Sequence, residues 1–118
     1  MNSTESILSS IKKLLGIDES YHHFDPDLIM HINSVFSILT QMGVGPPGGY
    51  SITGAQEEWS SFMEDESCLS LVKSYVSQKV RLLFDIPLSA AAIESINQQI
   101  KEYEFRLFVA ADTPDKAG

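Results

Sequence analysis

At 118 residues, 43% of them hydrophobic, the chain is long enough for one modest core and too apolar for global disorder. Its 16 acidic residues against 8 basic leave a net charge of -8, which argues against a protein that grips nucleic acid, because each phosphate contact needs a Lys or Arg. No apolar run approaches the roughly 20 residues that span a bilayer, and Met1-Asn2-Ser3-Thr4-Glu5-Ser6 does not read as a secretory leader, so synthesis in the cytosol is expected, in keeping with a lone Cys68.

The first predicted helix covers residues 3–15, where Ile7, Leu8, Ile11, Leu14 and Leu15 recur on one face and Gly16 suits a left-handed C-terminal cap. Residues 17–24 are polar and read as a loop. The second helix has the clearest start signal: Asp25 as N-cap, Pro26 at the first helical position, and Asp27 facing the N-terminal dipole. Phe24 before it pairs with Ile29 as a hydrophobic staple. Ile29, Ile32, Phe36 and Leu39, flanked by Leu28 and Val35, then mark its buried face as far as Gly43. The Gly- and Pro-rich stretch 44–54 interrupts both helical and strand hydrogen bonding, so a long loop is expected there.

Residues 56–63 read as a short helix presenting Trp59 and Phe62. Two long amphipathic helices follow, joined by the hinge Phe84-Asp85-Ile86-Pro87-Leu88-Ser89. The first carries Val72, Val76, Val80 and Leu83 on one face, with Tyr75 and Lys79 beside them. The second carries Ile93, Ile96, Ile100, Tyr103 and Leu107, a 3-4-3-4 seam that calls for a helical partner. The expectation is an all-α domain over residues 1–110, a bundle of four to five helices with one long loop, and a flexible tail over 111–118.

Catalytic chemistry finds little support. His22, His23, Asp25, Asp27 and His31 form the only cluster of metal-ligating residue types, yet the adjacent histidines diverge and no His-Glu-x-x-His or paired-Cys spacing occurs. The Gly/Pro loop lacks the Gly-Lys-Ser/Thr of a phosphate cradle, and no Lys lies between Lys13 and Lys73. Glu64-Asp65-Glu66 reads as an acidic helix start. No catalytic residue, metal or cofactor is therefore assigned. Trp59 and Tyr50, near the loop, are candidates for anchoring a protein contact.

Five strings carry a resemblance: ILSSIKKLLG at 7–16, FDPDLIMHIN at 24–33, LTQMGVG at 39–45, YVSQKVRLLFD at 75–85 and INQQIKEYEFRL at 96–107. Together they cover most of the chain, which resembles the head–tail connector (adaptor) proteins of long-tailed bacteriophages and prophages. The resemblance implies a helical structural virion protein without enzymatic activity, assembled in the host cytoplasm and located at the head–tail interface. It implies a ring beneath the portal protein that extends the DNA channel and docks the next tail-proximal completion protein. Its partners would be the portal, neighbouring subunits and that completion protein, with DNA passing through unbound and no membrane involved. It places contact residues in the loop, at Val44, Tyr50 and Ile52, and in a C-terminal arm beginning with Phe108 and Val109. The loop and tail are expected to be mobile before assembly. A small acidic phage regulator occupying a host protein is the alternative reading.

Overall fold

A computed structural model describes residues 5–111 as five helices: α1 (Ile7–Leu14), α2 (Asp25–Gln41), α3 (Trp59–Phe62), α4 (Glu66–Phe84) and α5 (Ala90–Ala111). The all-α expectation holds among the described residues, where one isolated antiparallel bridge, Ser6 with Glu58, is the extended pairing outside the helices. Helix α4 packs on α2 along one side and on α5 along the other, and α1 rests on α2. Tyr75 meets Glu104 and Gln78 meets Gln99, a reversed order that makes α4 and α5 an antiparallel pair.

Local chemistry accounts for the helix ends. Ser6 caps α1 by accepting from the Ser9 amide at 3.2 Å, so this helix begins later than the expected residue 3; residues 3 and 4 lie outside the described part. Its first-turn neighbours are engaged in the bridge instead: the Ile7 amide donates to Glu57 O at 3.0 Å and the Trp59 amide to Glu5 O at 3.2 Å. Asp25 is not the cap of α2 but its first residue, with Phe24 at the cap position and no side-chain cap bond there. The Asp25 carboxylate is drawn away by Lys12, as described below. Helix α2 closes with Gly43 at φ +86°, and the Val44 amide reaches Leu39 O at 2.9 Å, a turn that needs a residue free to enter the left-handed region. Asp65 caps α4 through the Ser67 and Cys68 amides, and Ser89 accepts from the Ala92 amide at the start of α5. The short helix predicted over 56–63 shrinks to one turn, Trp59–Phe62.

The core collects Ile7, Leu8 and Ile11 of α1, Leu28, Ile32, Val35, Phe36 and Leu39 of α2, and Leu69, Val72, Tyr75, Val76 and Val80 of α4. Helix α5 adds Ile96, Ile100 and Leu107, while Ile93 and Tyr103 of its expected seam are only half-buried. Two residues expected on packed faces are exposed. Leu14 is 60% accessible, at the end of α1, and Leu83 is 52% accessible, in the last turn of α4 next to the hinge. Phe24 sets its ring edge against Phe84, centroids 5.1 Å apart, tying the start of α2 to the end of α4. Of the expected tail over 111–118, residues 112–118 lie outside the described part.

Candidate interaction surfaces

The loop over residues 44–54 is pinned at several points. Asn33 of α2 holds it in a two-way bond: its amide nitrogen donates to Ile52 O at 3.0 Å, and the Ile52 amide donates to Asn33 Oδ1 at 2.7 Å. Tyr50 packs edge-on against Phe36 and Phe62, at centroid distances of 5.3 and 5.5 Å. The Glu57 carboxylate accepts from the Thr53 amide and hydroxyl, both at 2.9 Å. Partial burial works against its ionised form, but these hydrogen bonds outweigh it and hold the carboxyl below its ordinary pKa. Gly45 lies at φ +91° beneath Phe62, where an added Cβ would fall 2.5 Å from the ring. The loop is thus packed over the aromatic part of the core.

That packing decides where the candidate contact residues stand. Val44, Ile52 and Trp59 are 4%, 2% and 1% accessible, so the subunit's own core takes the side chains that the sequence offered to a partner. Trp59 has no spare polar edge either: its indole N–H donates to Ser10 Oγ at 2.8 Å, and Ser10 donates on to Ile7 O at 2.9 Å. The Lys73 ammonium lies 5.7 Å from the Trp59 ring centroid. Tyr50 is half-buried, and burial raises its phenol pKa above the ordinary value. Phe108 and Val109, by contrast, are exposed on α5 at 58% and 46%.

Six of the nine exposed large hydrophobic side chains among the described residues fall at the two ends of the α4–α5 pair; Leu14, Tyr21 and Met30 lie elsewhere. At the hinge stand Leu83, Ile86 and Leu88; toward the end of α5 stand Phe105, Phe108 and Val109. Phe105, the most exposed of the latter at 69%, was missed by the sequence reading. The signal was available: Phe105 lies two residues from Tyr103 and two from Leu107, off the seam and so on the opposite face. The hinge leucine and isoleucine gave no periodicity to read.

Two members of the histidine–aspartate cluster, Asp25 and His22, belong to a structural clamp. Lys12, 2% accessible, extends from α1 to the Asp25 carboxylate at 2.9 Å and also donates to Glu19 O at 3.0 Å and Tyr21 O at 2.7 Å. His22 Nδ1 meets the other Asp25 oxygen at 2.8 Å. Burial disfavours the Asp25 anion, yet the Lys12 ammonium and the His22 ring outweigh it and keep this carboxyl below its usual range. His23 is turned onto Phe24 in an edge contact. Among the described residues no group of three or more His, Cys, Asp or Glu is placed to hold a metal ion. None of the described helices is long and apolar enough to cross a membrane.

What remains is a helical body whose chemistry is packing and most of whose exposed large apolar residues sit at the two ends of the α4–α5 pair. A family model for phage connector proteins matches residues 7–114, nearly the whole chain. The chain belongs to the phage connector protein family. No curated protein and no solved structure matches it. The connector is thereby a structural component of a bacteriophage particle, and the matched stretch takes in all five helices together with the loop that covers their core.

Proposed function

We propose that this connector forms a ring beneath the portal, continues the DNA channel, and docks the tail-proximal completion protein on its far side. The observation that carries the reading, beside family membership, is the pair of exposed apolar patches at opposite ends of α5. At 1.5 Å of rise per residue, α5 carries the chain about 27 Å from Ala90, just after the hinge, to Phe108. A subunit that joins two other proteins needs two such surfaces, and clustered exposed apolar side chains, unlike singly scattered ones, mark contact sites. The acidic balance suits a channel through which DNA slides, because a wall of net negative charge repels phosphates rather than binding them.

Ring growth is templated by the portal in this reading. A net charge of -8 per subunit opposes closure in free solution, and an assembled portal raises the local concentration of neighbours. Electron microscopy of the protein mixed with its cognate portal tests the proposal. Density for a ring coaxial with the portal is expected; a one-to-one complex with a host protein and no binding to the portal would replace this reading with that of a regulator.

A further inference from the structure

A groove of about 330 Å³ runs along α4, between the end of α1 and the middle of α5. Arg81, Ser74, Ser77 and Gln78 line it, with Lys73 buried at its floor and Leu14 exposed at its rim. No acidic side chain lines it, in a chain where acids outnumber bases 16 to 8. The local sign of the surface is therefore the reverse of the whole. Two other cations find carboxylates within the chain, Lys12 on Asp25 and Arg106 on Glu102. Arg81 is exposed and makes no ion pair among the described residues.

The complementary feature is the turn that starts the same helix. Glu64 and Glu66 are both exposed and carry no ion pair among the described residues. Fifteen residues separate Glu66 from Arg81 on α4, which is roughly 22 Å along the helix axis, so Arg81 cannot reach its own chain's Glu66. We infer that the groove receives the Glu64–Glu66 turn of a neighbouring copy, with Arg81 meeting its carboxylates and Leu14 covering the apolar margin. The inference rests on the ring reading and names the surfaces that join one subunit to the next. Glu66 and the groove share one face of α4, Ser70 of the groove lying one turn on, and in the ring reading the contact runs head to tail: each copy's groove holds the neighbour ahead and its turn is offered to the neighbour behind. Such a contact propagates until it closes, whereas a patch that pairs with itself stops at a dimer. It also sets opposite charges against each other at the joint of a ring whose subunits otherwise repel.

Two variants, each also carrying Cys68→Ser, test the contact: Arg81→Cys in one and Glu66→Cys in the other. Mixed on the portal under mild oxidation, they are expected to give a disulfide dimer of connector chains, which neither gives alone. In parallel, Arg81→Glu is expected to raise the protein concentration needed for portal-bound rings at least tenfold, and pairing it with Glu64→Lys and Glu66→Lys to restore most of that loss. All three side chains are exposed, so thermal melting of the isolated variants serves as a folding control; each is expected to fold, with only a small loss from charges that oppose the α4 dipole. Normal ring formation by Arg81→Glu, or capture of the portal instead of a second connector by the Arg81→Cys chain, would overturn the contact. Failure of the unmodified protein to assemble on the portal, with the disulfide dimer still forming at high concentration, would instead remove the ring reading and leave the contact in place.

Discussion

Lys12 shows how much a single side chain carries in a domain of this size. Its ammonium satisfies two carbonyls of the α1–α2 loop and one carboxylate at the start of α2, so it closes a loop and orients a helix together. Lys12→Ala strands the partly buried Asp25 carboxylate and is expected to cost about 3 kcal/mol in urea unfolding. The same pair predicts a pH dependence. Because the folded state holds Asp25 below its ordinary pKa, this group contributes stability above about pH 4 that is lost as the pH falls through the lowered value. Asp25→Asn should therefore flatten the acid limb of a stability profile while leaving a less stable protein at neutral pH. Gly45 is the second sensitive residue. Gly45→Ala adds a Cβ that meets Phe62 at 2.5 Å in a left-handed backbone conformation, and a loss of about 2 kcal/mol in thermal unfolding is expected.

At the scale of elements, the seam of α5 and the last turn of α4 should respond in opposite ways. Ile100→Ala removes a side chain that is 6% accessible and is expected to cost about 2–4 kcal/mol, whereas Leu83→Ala changes an exposed one and should stay within about 0.5 kcal/mol. Chemical denaturation of the two variants checks this. Both leucine and isoleucine looked alike as members of periodic faces, and the difference marks the limit of periodicity as a guide. The four longer helices were legible because 3.6-residue spacing reports a buried stripe wherever a neighbour runs alongside. Leu14 and Leu83 lie at helix ends, where the stripe continues but the neighbouring helix does not. Lys12 shares the face of Leu8 and Leu15, but its value depends on carbonyls from residues 19 and 21, which no spacing rule brings together. Val44, Ile52 and Trp59 were legible as candidates for contact, and within the subunit they are buried. An aromatic next to a Gly/Pro loop has the composition of an interface, and only the Asn33 bond to Ile52 and the Phe36–Phe62 pair fold that loop inward.

For the whole molecule, the arrangement separates a firm body from a lightly held edge. Helix α2 buries five side chains over 17 residues, while α5 buries three over 22 and packs chiefly against α4. Leu107 is the last buried residue of α5, so a chain ending there retains every core contact that α5 makes. Deleting residues 108–118 is expected to leave the melting temperature within a few degrees of the full chain and to weaken assembly on the portal, as read by sedimentation of the mixture. Unimpaired assembly would move the portal- or tail-facing role to Leu83, Ile86 and Leu88 at the hinge.

The enclosure of Trp59 makes the protein its own optical reporter. It is the single tryptophan, and its indole is hydrogen-bonded and shielded from solvent among α1, α2 and α4. Its emission should be blue-shifted in the native state and move to the red when the body opens. None of these contacts belongs to α5, so detachment of that helix alone leaves the emission unchanged, while ellipticity at 222 nm falls with the loss of its 22 helical residues. Following both signals through one urea titration therefore distinguishes a single cooperative transition from an earlier release of α5. Two midpoints, ellipticity first, are the expected outcome, and coincident curves would show that α5 and the body melt as one unit.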